Sequence, residues 1–442
     1  MKRSWIISTL AVVMFLTTLL VFTSRANYHN AVEQPVNKEV TTSKGKMSGK
    51  NNDSPKEFRL TESQLKMSDN NNDFACNLFR TIYKKKKDNS SIIVSPISVS
   101  YLLGMLNEGA DGQTRQQVTD VLGLGGSVEE INEYFKKMIN ESPYVDTTVT
   151  VKTANCINFI AGYKLIPQYQ ADMQNYYNAQ VGSIGSNPSD IVEKINNWCK
   201  THTDGMIPEL IKKEDLNPNL VMCLLNAICF KASWTKKFDP EETRIMNFTK
   251  RGGKTVKRKM IHHKIKAAYG KNDLCEMLRL PYGYGSYSMY VLLPNKGKTV
   301  DDIIQNLSAE KLEQQRKRDM TFCEVDILLP RFTTESETQL VNVLSAMGMP
   351  RAFGDGAEFP NMIQGHEKDL YVSMMKQKAK IEVVEEGTKA AAATIAEMVT
   401  LSASLNEKRP RSVNFHATRP FVYYIIERES GAIFFMGTYC GD

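Results

Sequence analysis

The order in which helical and strand-like patterns follow one another is the feature of this chain that most constrains its fold. Apolar residues recur at helical spacing in several segments between residues 74 and 139, and again in 191–198. From Val221 onward, turns alternate with short apolar segments typical of strands, namely 221–230, 274–280, 287–293, 322–329, 379–384, 421–426 and 432–437. Because no strand–helix–strand rhythm repeats, the pattern predicts an α+β fold with antiparallel or mixed sheets.

One domain is expected over residues 69–442, because no linker or internal repeat interrupts them. With 42% hydrophobic and 24% charged residues, the 442-residue chain can bury a large core. Ser95-Pro96 predicts a helix start, in which the serine hydroxyl caps the helix and the proline takes the first position. Residues 27–68 are predicted to form a flexible polar tail, since 27–56 contain almost no apolar side chain.

The amino terminus resembles a secretory signal. Lys2 and Arg3 precede an uncharged run, 4–24, that is rich in Ile, Leu, Val and Phe, and Ser24-Arg25-Ala26 is a candidate cleavage site. We therefore expect residues 1–26 to be a signal peptide and the remainder to be secreted to the extracellular space. The apolar run also reaches the minimum length of a membrane span, so an uncleaved signal-anchor is the alternative, and only then is a membrane a partner.

Five glycosylation sequons fit a secreted protein, and their asparagines are Asn52, Asn89, Asn140, Asn247 and Asn306. The eight cysteines form no CxxC pair and no metal-ligand spacing with histidine, so neither a zinc site nor another cofactor is expected. Disulfides remain open at this point, because no pairing follows from the spacing.

Motifs of catalysis are absent: the chain has no GxSxG, GxGxxG, GxxxxGK[ST] or HExxH. The sequence therefore does not predict an enzyme. The net charge of +7 is spread over the chain and does not indicate a nucleic-acid partner. One basic cluster consists of Lys254, Lys257, Arg258, Lys259, Lys264 and Lys266. It could bind a sulfated polyanion weakly, or it could be an ordinary solvated hairpin.

The segment 379–400, AKIEVVEEGTKAAAATIAEMVT, allows two interpretations. Its four consecutive alanines favour a short helix. As a strand, however, 388–400 would place seven uncharged residues on one face, with Lys389 and Glu397 on the other. A strand with such a face can enter a sheet over a packed core, and Gly387 would serve as its hinge.

Several motifs over 69–442 resemble those of the serpin family of serine protease inhibitors. They are EEGT followed by four alanines (385–393), NAICFKASW (226–234), TDGMI (203–207), FHATRPF (415–421) and FMG (435–437). The resemblance implies three β-sheets, eight or nine helices, an exposed reactive-centre loop and a monomer. It also implies a suicide substrate: a serine protease cleaves the loop, stays covalently attached, and is carried along as the loop inserts into the main sheet.

The resemblance assigns roles to particular residues. The hinge comprises Glu385, Glu386, Gly387, Thr388, Ala390, Ala391, Ala392 and Ala393. The region where the sheet opens comprises Ser95, Ser98, Asn226, Trp234, Arg331 and Gln377, of which Arg331 is the expected partner of Glu385. Gln377 stands where the family usually has a histidine, so a titrating imidazole is missing.

Family spacing places the reactive bond between Leu401 and Ser402, although the segment 401–420 is longer than in many members. A leucine favours chymotrypsin-like proteases as targets, with elastase-like proteases next. The alternative is a non-inhibitory serpin, such as a hormone carrier or a collagen chaperone. Those members often lose the small-residue hinge that this chain retains.

Overall fold

The computed structural model describes residues 58–86, 88–185, 187–216, 220–365, 370–388 and 412–442. These residues form nine α-helices: α1 (Glu62–Lys85), α2 (Pro96–Gly109), α3 (Gly112–Leu122), α4 (Val128–Asn140), α5 (Pro167–Tyr177), α6 (Pro188–His202), α7 (Val300–Gln305), α8 (Ala309–Gln314) and α9 (Val341–Met347). The predicted signal, the tail up to residue 57, the alanine run and the predicted reactive bond lie outside the described residues.

Fifteen strands accompany these helices in the described ranges. They are β1 (Ile92–Val94), β2 (Val149–Ile160), β3 (Ala179–Ile184), β4 (Met222–Ser233), β5 (Arg244–Thr249), β6 (Thr255–Lys271), β7 (Cys275–Tyr282), β8 (Tyr287–Pro294), β9 (Met320–Pro330), β10 (Phe332–Gln339), β11 (Val372–Val384), β12 (Gly387–Thr388), β13 (Ser412–His416), β14 (Phe421–Glu427) and β15 (Ile433–Tyr439). The mixture of helices and mostly antiparallel strands is the predicted α+β class.

The strands belong to two hydrogen-bonded sheets within the described part of the chain. The six-stranded sheet, here the central sheet, has the order β10-β11-β12-β4-β2-β3, and the nine-stranded sheet follows β1-β15-β14-β8-β7-β6-β9-β13 with β5 beside β6. The resemblance implied three sheets. The count of hydrogen-bonded sheets is two because the seventeen-residue strand β6 pairs with β5, β9 and β7 and thereby connects nine strands into one sheet.

Helix α1 begins earlier than the predicted start of order near Asp69. Thr61 and Gln64 form a reciprocal capping box in front of Glu62, and Phe58 is buried in the core. The predicted tail boundary at residue 68 is therefore too late, because the polar residues 61–64 that resemble a tail act as a helix cap.

The central sheet is covered by apolar residues on both faces. Helix α2 is buried along almost its whole length within the main core, and Ile191, Ile195 and Cys199 of α6 pack against Cys223 and Leu225 of β4 in a second cluster. All but one of the twelve residues of β4 are buried. A strand buried on both faces has a continuous apolar sequence, which explains the run VMCLLNAICF.

Candidate functional site

A buried hydrogen-bond network joins β4 to β11 in the middle of the central sheet. The two strands are parallel, and Gln377 of β11 stands opposite Asn226 of β4. The Gln377 amide donates to the carbonyl oxygen of Ser95 at 2.9 Å and to the hydroxyl of Ser98 at 2.7 Å. The backbone N–H of Ser95 returns a bond to Oε1 of Gln377 at 2.9 Å. Gln377 therefore fastens the start of α2 to the sheet.

The network continues across β4 to β2. Ser98 donates to Oδ1 of Asn226 at 2.8 Å, and Asn226 donates to Oδ1 of Asn155 at 2.9 Å. Asn155 in turn donates to the carbonyl oxygen of Tyr177 at 3.1 Å. These side chains are at most 2% exposed, so separating β4 from β11 would leave polar groups without partners.

Two features of this network differ from the sequence analysis. Ser95 does precede α2, but its hydroxyl makes no capping bond and finds no partner among the described residues. The backbone of Ser95 serves instead, because both its N–H and its carbonyl group bind Gln377. Asn155 was not anticipated, since a single polar residue in a strand does not reveal that it is buried.

The hinge begins as a strand inside the central sheet. After β11 the chain turns at Glu385 and Glu386, and β12 then pairs antiparallel with both β11 and β4, at the carboxyl-terminal ends of these two strands. Gly387 has φ +146°, and a Cβ there would lie 2.1 Å from the carbonyl oxygen of Ala232. Only glycine fits this position without moving the neighbouring strand.

Trp234, directly after β4, holds the end of β11 and the turn that follows it by hydrogen bonds. Its Nε1 donates to the carbonyl oxygen of Val384 at 2.9 Å, and its backbone N–H donates to the carbonyl oxygen of Glu386 at 2.9 Å. Its ring is stacked on Tyr282 with ring centroids 4.3 Å apart. The hydroxyl of Tyr282 reaches Thr388, and burial raises the pKa of this phenol well above its ordinary value. Tyr282 thus stays a neutral hydrogen-bonding group at physiological pH.

Glu385 is held at the turn by two side chains. Its carboxylate accepts a bond from the hydroxyl of Thr243 at 2.8 Å and lies 3.5 Å from Nη1 of Arg331. The Glu385 side chain is 7% exposed, whereas that of Arg331 is 44% exposed. The pair therefore sits at the edge of the sheet, with its cation open to solvent.

The other predicted sites are placed as follows. Among the sequons, Asn89, Asn247 and Asn306 are exposed and Asn140 is half-buried, while Asn52 lies outside the described residues. The remaining hinge residues Ala390, Ala391, Ala392 and Ala393 also lie outside them, as do Leu401 and Ser402. No helix in the described ranges is long and apolar enough to cross a membrane, and no metal-ligand group of three occurs there.

The predicted basic cluster is divided by the structure. Lys264 lies 3.6 Å from Glu324, and Lys266 stands opposite the same glutamate on β9. Lys257 and Lys259 are exposed at the other end of β6, and Arg258 between them donates to the hydroxyl of Tyr439 at 3.2 Å. The cluster is thus not one continuous patch.

Comparisons with known proteins agree with this architecture. The family model described as Serpin (serine protease inhibitor) matches residues 69–441. The leukocyte elastase inhibitor of Equus caballus is 34% identical over 382 residues, which cover 83% of this chain and 97% of that protein.

Two solved structures show the same fold. The native structure of tengpin, a thermophilic serpin, matches with a TM-score of 0.77 and 26% identity, covering 88% of this chain and 96% of its own. Human thyroxine-binding globulin complexed with thyroxine matches with a TM-score of 0.76 and 27% identity, covering 85% and 98%. From its motifs, its fold and its family match, this chain belongs to the serpin family.

Proposed function

We propose that this serpin inhibits a serine endopeptidase as a suicide substrate, through cleavage of its reactive loop and insertion of the loop into the central sheet. The observation that carries the proposal is β12: Gly387 and Thr388 are already paired with β11 on one side and β4 on the other. Insertion of the following residues would extend this two-residue strand toward the amino-terminal ends of β4 and β11, in the register that β12 already has.

The energetics favour such an extension once the loop is cut. Toward their amino-terminal ends, strands β4 and β11 pair directly with each other over Met222–Cys229 and Val372–Lys380. An inserted strand replaces this one ladder by two, a net gain of one ladder. Because Thr388 is already in the sheet, twelve further residues, 389–400, would insert and gain on the order of 10 kcal/mol at about 1 kcal/mol per hydrogen bond. This rivals the folding free energy of a typical domain, about 5–15 kcal/mol.

The target we propose is a chymotrypsin-like or elastase-like protease. Leu401 at the predicted reactive bond suits an apolar specificity pocket, and Met398 and Val399 nearby suit elastase-like pockets. The similarity to a leukocyte elastase inhibitor supports this class of target.

Incubation with a panel of serine proteases, followed by denaturing electrophoresis, tests the proposal. We expect a covalent complex that withstands denaturation with at least one chymotrypsin-like or elastase-like protease. The matched control is the same chain cut beforehand in the loop, which has no intact bait and should form no complex. Cleavage by every protease without any complex would favour a non-inhibitory role, such as that of a carrier. Thyroxine-binding globulin, which was solved with thyroxine, is a structural relative of this chain.

We also propose that the protein is a secreted monomer carrying glycans. The amino-terminal apolar run and the exposure of Asn89, Asn247 and Asn306 support this. Expression of the full chain in a secretory host should place a glycosidase-sensitive protein in the medium. Retention in the membrane fraction would instead indicate that residues 1–26 are an uncleaved anchor.

A further inference from the structure

Strand β13 is held to its sheet from one side. Within the described residues it is the last strand of the nine-stranded sheet and pairs with β9 over the five residues Ser412–His416. Residues 389–411, which contain the predicted reactive bond, come immediately before it. Strand β13 is therefore the anchor at the carboxyl-terminal end of the loop. Because its ladder is short and parallel, side-chain contacts contribute much of what holds it.

Four side chains form a line of contacts that reaches β13 from the other strands of this sheet. Nε2 of His416, at the end of β13, lies 3.3 Å from Oδ1 of Asp326 on β9. Nε2 of His262 on β6 lies 3.3 Å from the same oxygen. The other ring nitrogen of His262, Nδ1, lies 3.0 Å from Oε2 of Glu242, which precedes β5. These four residues are here called the histidine clasp.

The clasp is complete only when its imidazoles are protonated. A neutral imidazole carries one N–H, so His262 can then donate to Asp326 or to Glu242 but not to both. An imidazolium donates from both nitrogens and also attracts both carboxylates. The bonds from His262 and Arg244 lower the pKa of Glu242, so this carboxyl group is ionised near neutral pH. His416 likewise forms an ion pair with Asp326 only in its protonated form.

The neighbouring charges are engaged elsewhere. Lys264, which stands opposite Asp326 on β6, lies 3.6 Å from Glu324. Arg244 lies 2.8 Å from Glu242 and belongs to β5, which does not pair with β13. The contacts that join β13 to the clasp therefore depend on histidine, the side chain that ordinarily changes charge between about pH 5 and 8.

The hold on β13 matters for the loop because of chain length. The clasp lies beside the hinge, since Thr243, next to Glu242, donates to the carboxylate of Glu385 at 2.8 Å. The twelve residues 389–400, if inserted uncut, would extend about 40 Å from the hinge at about 3.3 Å per residue. The eleven residues 401–411 can reach back about 36–40 Å at most. Uncut insertion is thus at the limit of reach while β13 is in place, and its release would add about 17 Å.

We propose that the histidine clasp is a pH-sensitive anchor, which holds β13 more firmly at pH 5.5 than at pH 8 and thereby restrains the uncut loop. At pH 8, β13 keeps its ladder with β9 and the buried side chain of Phe415, and loses the charged contact of His416. The restraint on the loop rests on the proposed function, because an inserted loop offers no bait. The pH-dependent hold on β13 does not rest on it.

Hydrogen exchange of the intact full-length protein, measured by mass spectrometry, tests the clasp. Protection factors of the β13 amides are compared at pH 5.5 and pH 8, since these factors already account for the intrinsic pH dependence of amide exchange. We expect about three- to tenfold stronger protection at pH 5.5, the scale of one or two partly exposed ion pairs. Prolonged incubation at pH 8 should also convert more of the uncut protein to a form with a higher melting temperature.

Two variants and a matched control locate the effect. His416→Gln keeps a hydrogen-bond donor on β13 and removes the titrating ring, so most of the pH dependence should disappear. Asp326→Asn removes the shared carboxylate, should have the same result, and tests the clasp independently if the first variant does not fold. The control is His202→Gln on α6, whose ring contacts Trp198 and the carbonyl oxygen of that residue. It should keep the full pH dependence.

Four results would overturn the inference. Equal protection of β13 at the two pH values means that the clasp does not respond to charge. An undiminished pH dependence in the two clasp variants assigns it to other groups, and its loss in His202→Gln makes it a global effect. Equal conversion at pH 5.5 and pH 8 removes the link to the loop. No target protease is used, so failure to form a covalent complex would refute the proposed function and leave the pH-dependent hold on β13 intact.

Discussion

The hydroxyl oxygen of Tyr282 lies 2.9 Å from Oγ1 of Thr388, with both side chains buried beneath the hinge turn. Thr388 of β12 stands opposite Val383 of β11 and Ala232 of β4, and its side chain is fully buried. We therefore expect the size and charge of this one side chain to decide whether the hinge can occupy the sheet.

Thr388→Arg should turn the inhibitor into a substrate. It places a long cation in a site that is 0% exposed, where an unpaired charge costs several kcal/mol and slows insertion. Thr388→Val is the matched control, because it keeps the shape and loses only the bond to Tyr282. Complex yield on denaturing electrophoresis is the measurement. Equal yields for the arginine variant and the unmodified protein would contradict this role of Thr388.

Cleavage in the loop near residue 401 should raise the melting temperature, because the freed strand can pair between β4 and β11. A gain on the order of 10 kcal/mol corresponds to a rise of more than about 10 °C. Calorimetry of intact and cleaved protein measures this, and the cleaved Thr388→Arg variant should show a smaller rise. An unchanged melting temperature would show that the loop does not insert.

Much of this arrangement could be predicted from sequence, because burial on both faces leaves a visible signature. Strands β4, β14 and β15 are continuous apolar runs, and each appears where it was expected. The α+β class followed from the same runs. The strands that the sequence did not reveal carry polar residues, whose partners lie on other elements of the fold.

Strand β2 is an example of such an element. Its sequence VTVKTANCINFI contains Lys152, Asn155 and Asn158, which interrupt an apolar pattern. Asn155 is nevertheless buried, since its amide bridges Asn226 and the end of α5. The charged residues of β6 predicted a solvated hairpin, and β5 and β6 do form one, but β6 also pairs with β7 and β9, which the sequence did not indicate. Such partners are known only once the chain is folded.

The sheet-opening network should be insensitive to pH near neutrality, because Gln377 does not titrate. Gln377→His should introduce a pH dependence. The Ser95 N–H needs an acceptor at this position, and burial also favours the neutral imidazole, so the folded-state pKa would fall below the ordinary value of about 6.5. The unfolded chain would then bind more protons, and the free energy of unfolding would fall as the pH drops below about 6.5.

Urea titrations between pH 7.5 and 5 measure this effect. We expect the variant to lose about 1–2 kcal/mol relative to the unmodified protein over that range, because 1.5 pH units below an unfolded pKa of about 6.5 are worth at most about 2 kcal/mol. Gln377→Leu, which also removes the bonds to Ser95 and Ser98, should be destabilised by an amount that does not vary with pH. A flat profile for the histidine variant would mean that the imidazole keeps its ordinary pKa in the fold.

Lys376 is a fully buried cation that fastens the connection between α6 and β4 to the central sheet. Its Nζ lies 2.6 Å from Oδ2 of Asp215 and also bonds Glu337. Lys376→Ala leaves both carboxylates without their cation, so we expect a loss of about 2–4 kcal/mol in the free energy of unfolding. Lys380→Ala is the matched control, because its pair with Glu335 is more exposed and should be worth less than about 1 kcal/mol.

Asp215 gives a second readout for the same contact. Burial raises the pKa of Asp215, but the bonds from Lys376 and from the Lys212 backbone outweigh it and lower the pKa overall. A lowered carboxyl pKa stabilises the fold above the unfolded value and loses that contribution as the pH falls through the folded one. Lys376→Ala should therefore flatten the fall in stability on the acid side of about pH 4. Equal losses for Lys376→Ala and Lys380→Ala would contradict the anchoring role.

The predicted reactive bond, between Leu401 and Ser402, lies outside the described residues. Counting seventeen residues from Glu385 places the scissile bond after Leu401, in an apolar context. Leu401→Arg should shift inhibition toward trypsin-like proteases, because it weakens the fit to an apolar pocket and supplies a cation for an acidic one. Mass spectrometry of the fragment released from the complex is the measurement. A new amino terminus at Ser402 agrees with the assignment. A new amino terminus at Arg409 or beyond refutes it, because the strand left to insert would then be longer than 388–400 by about seven residues or more.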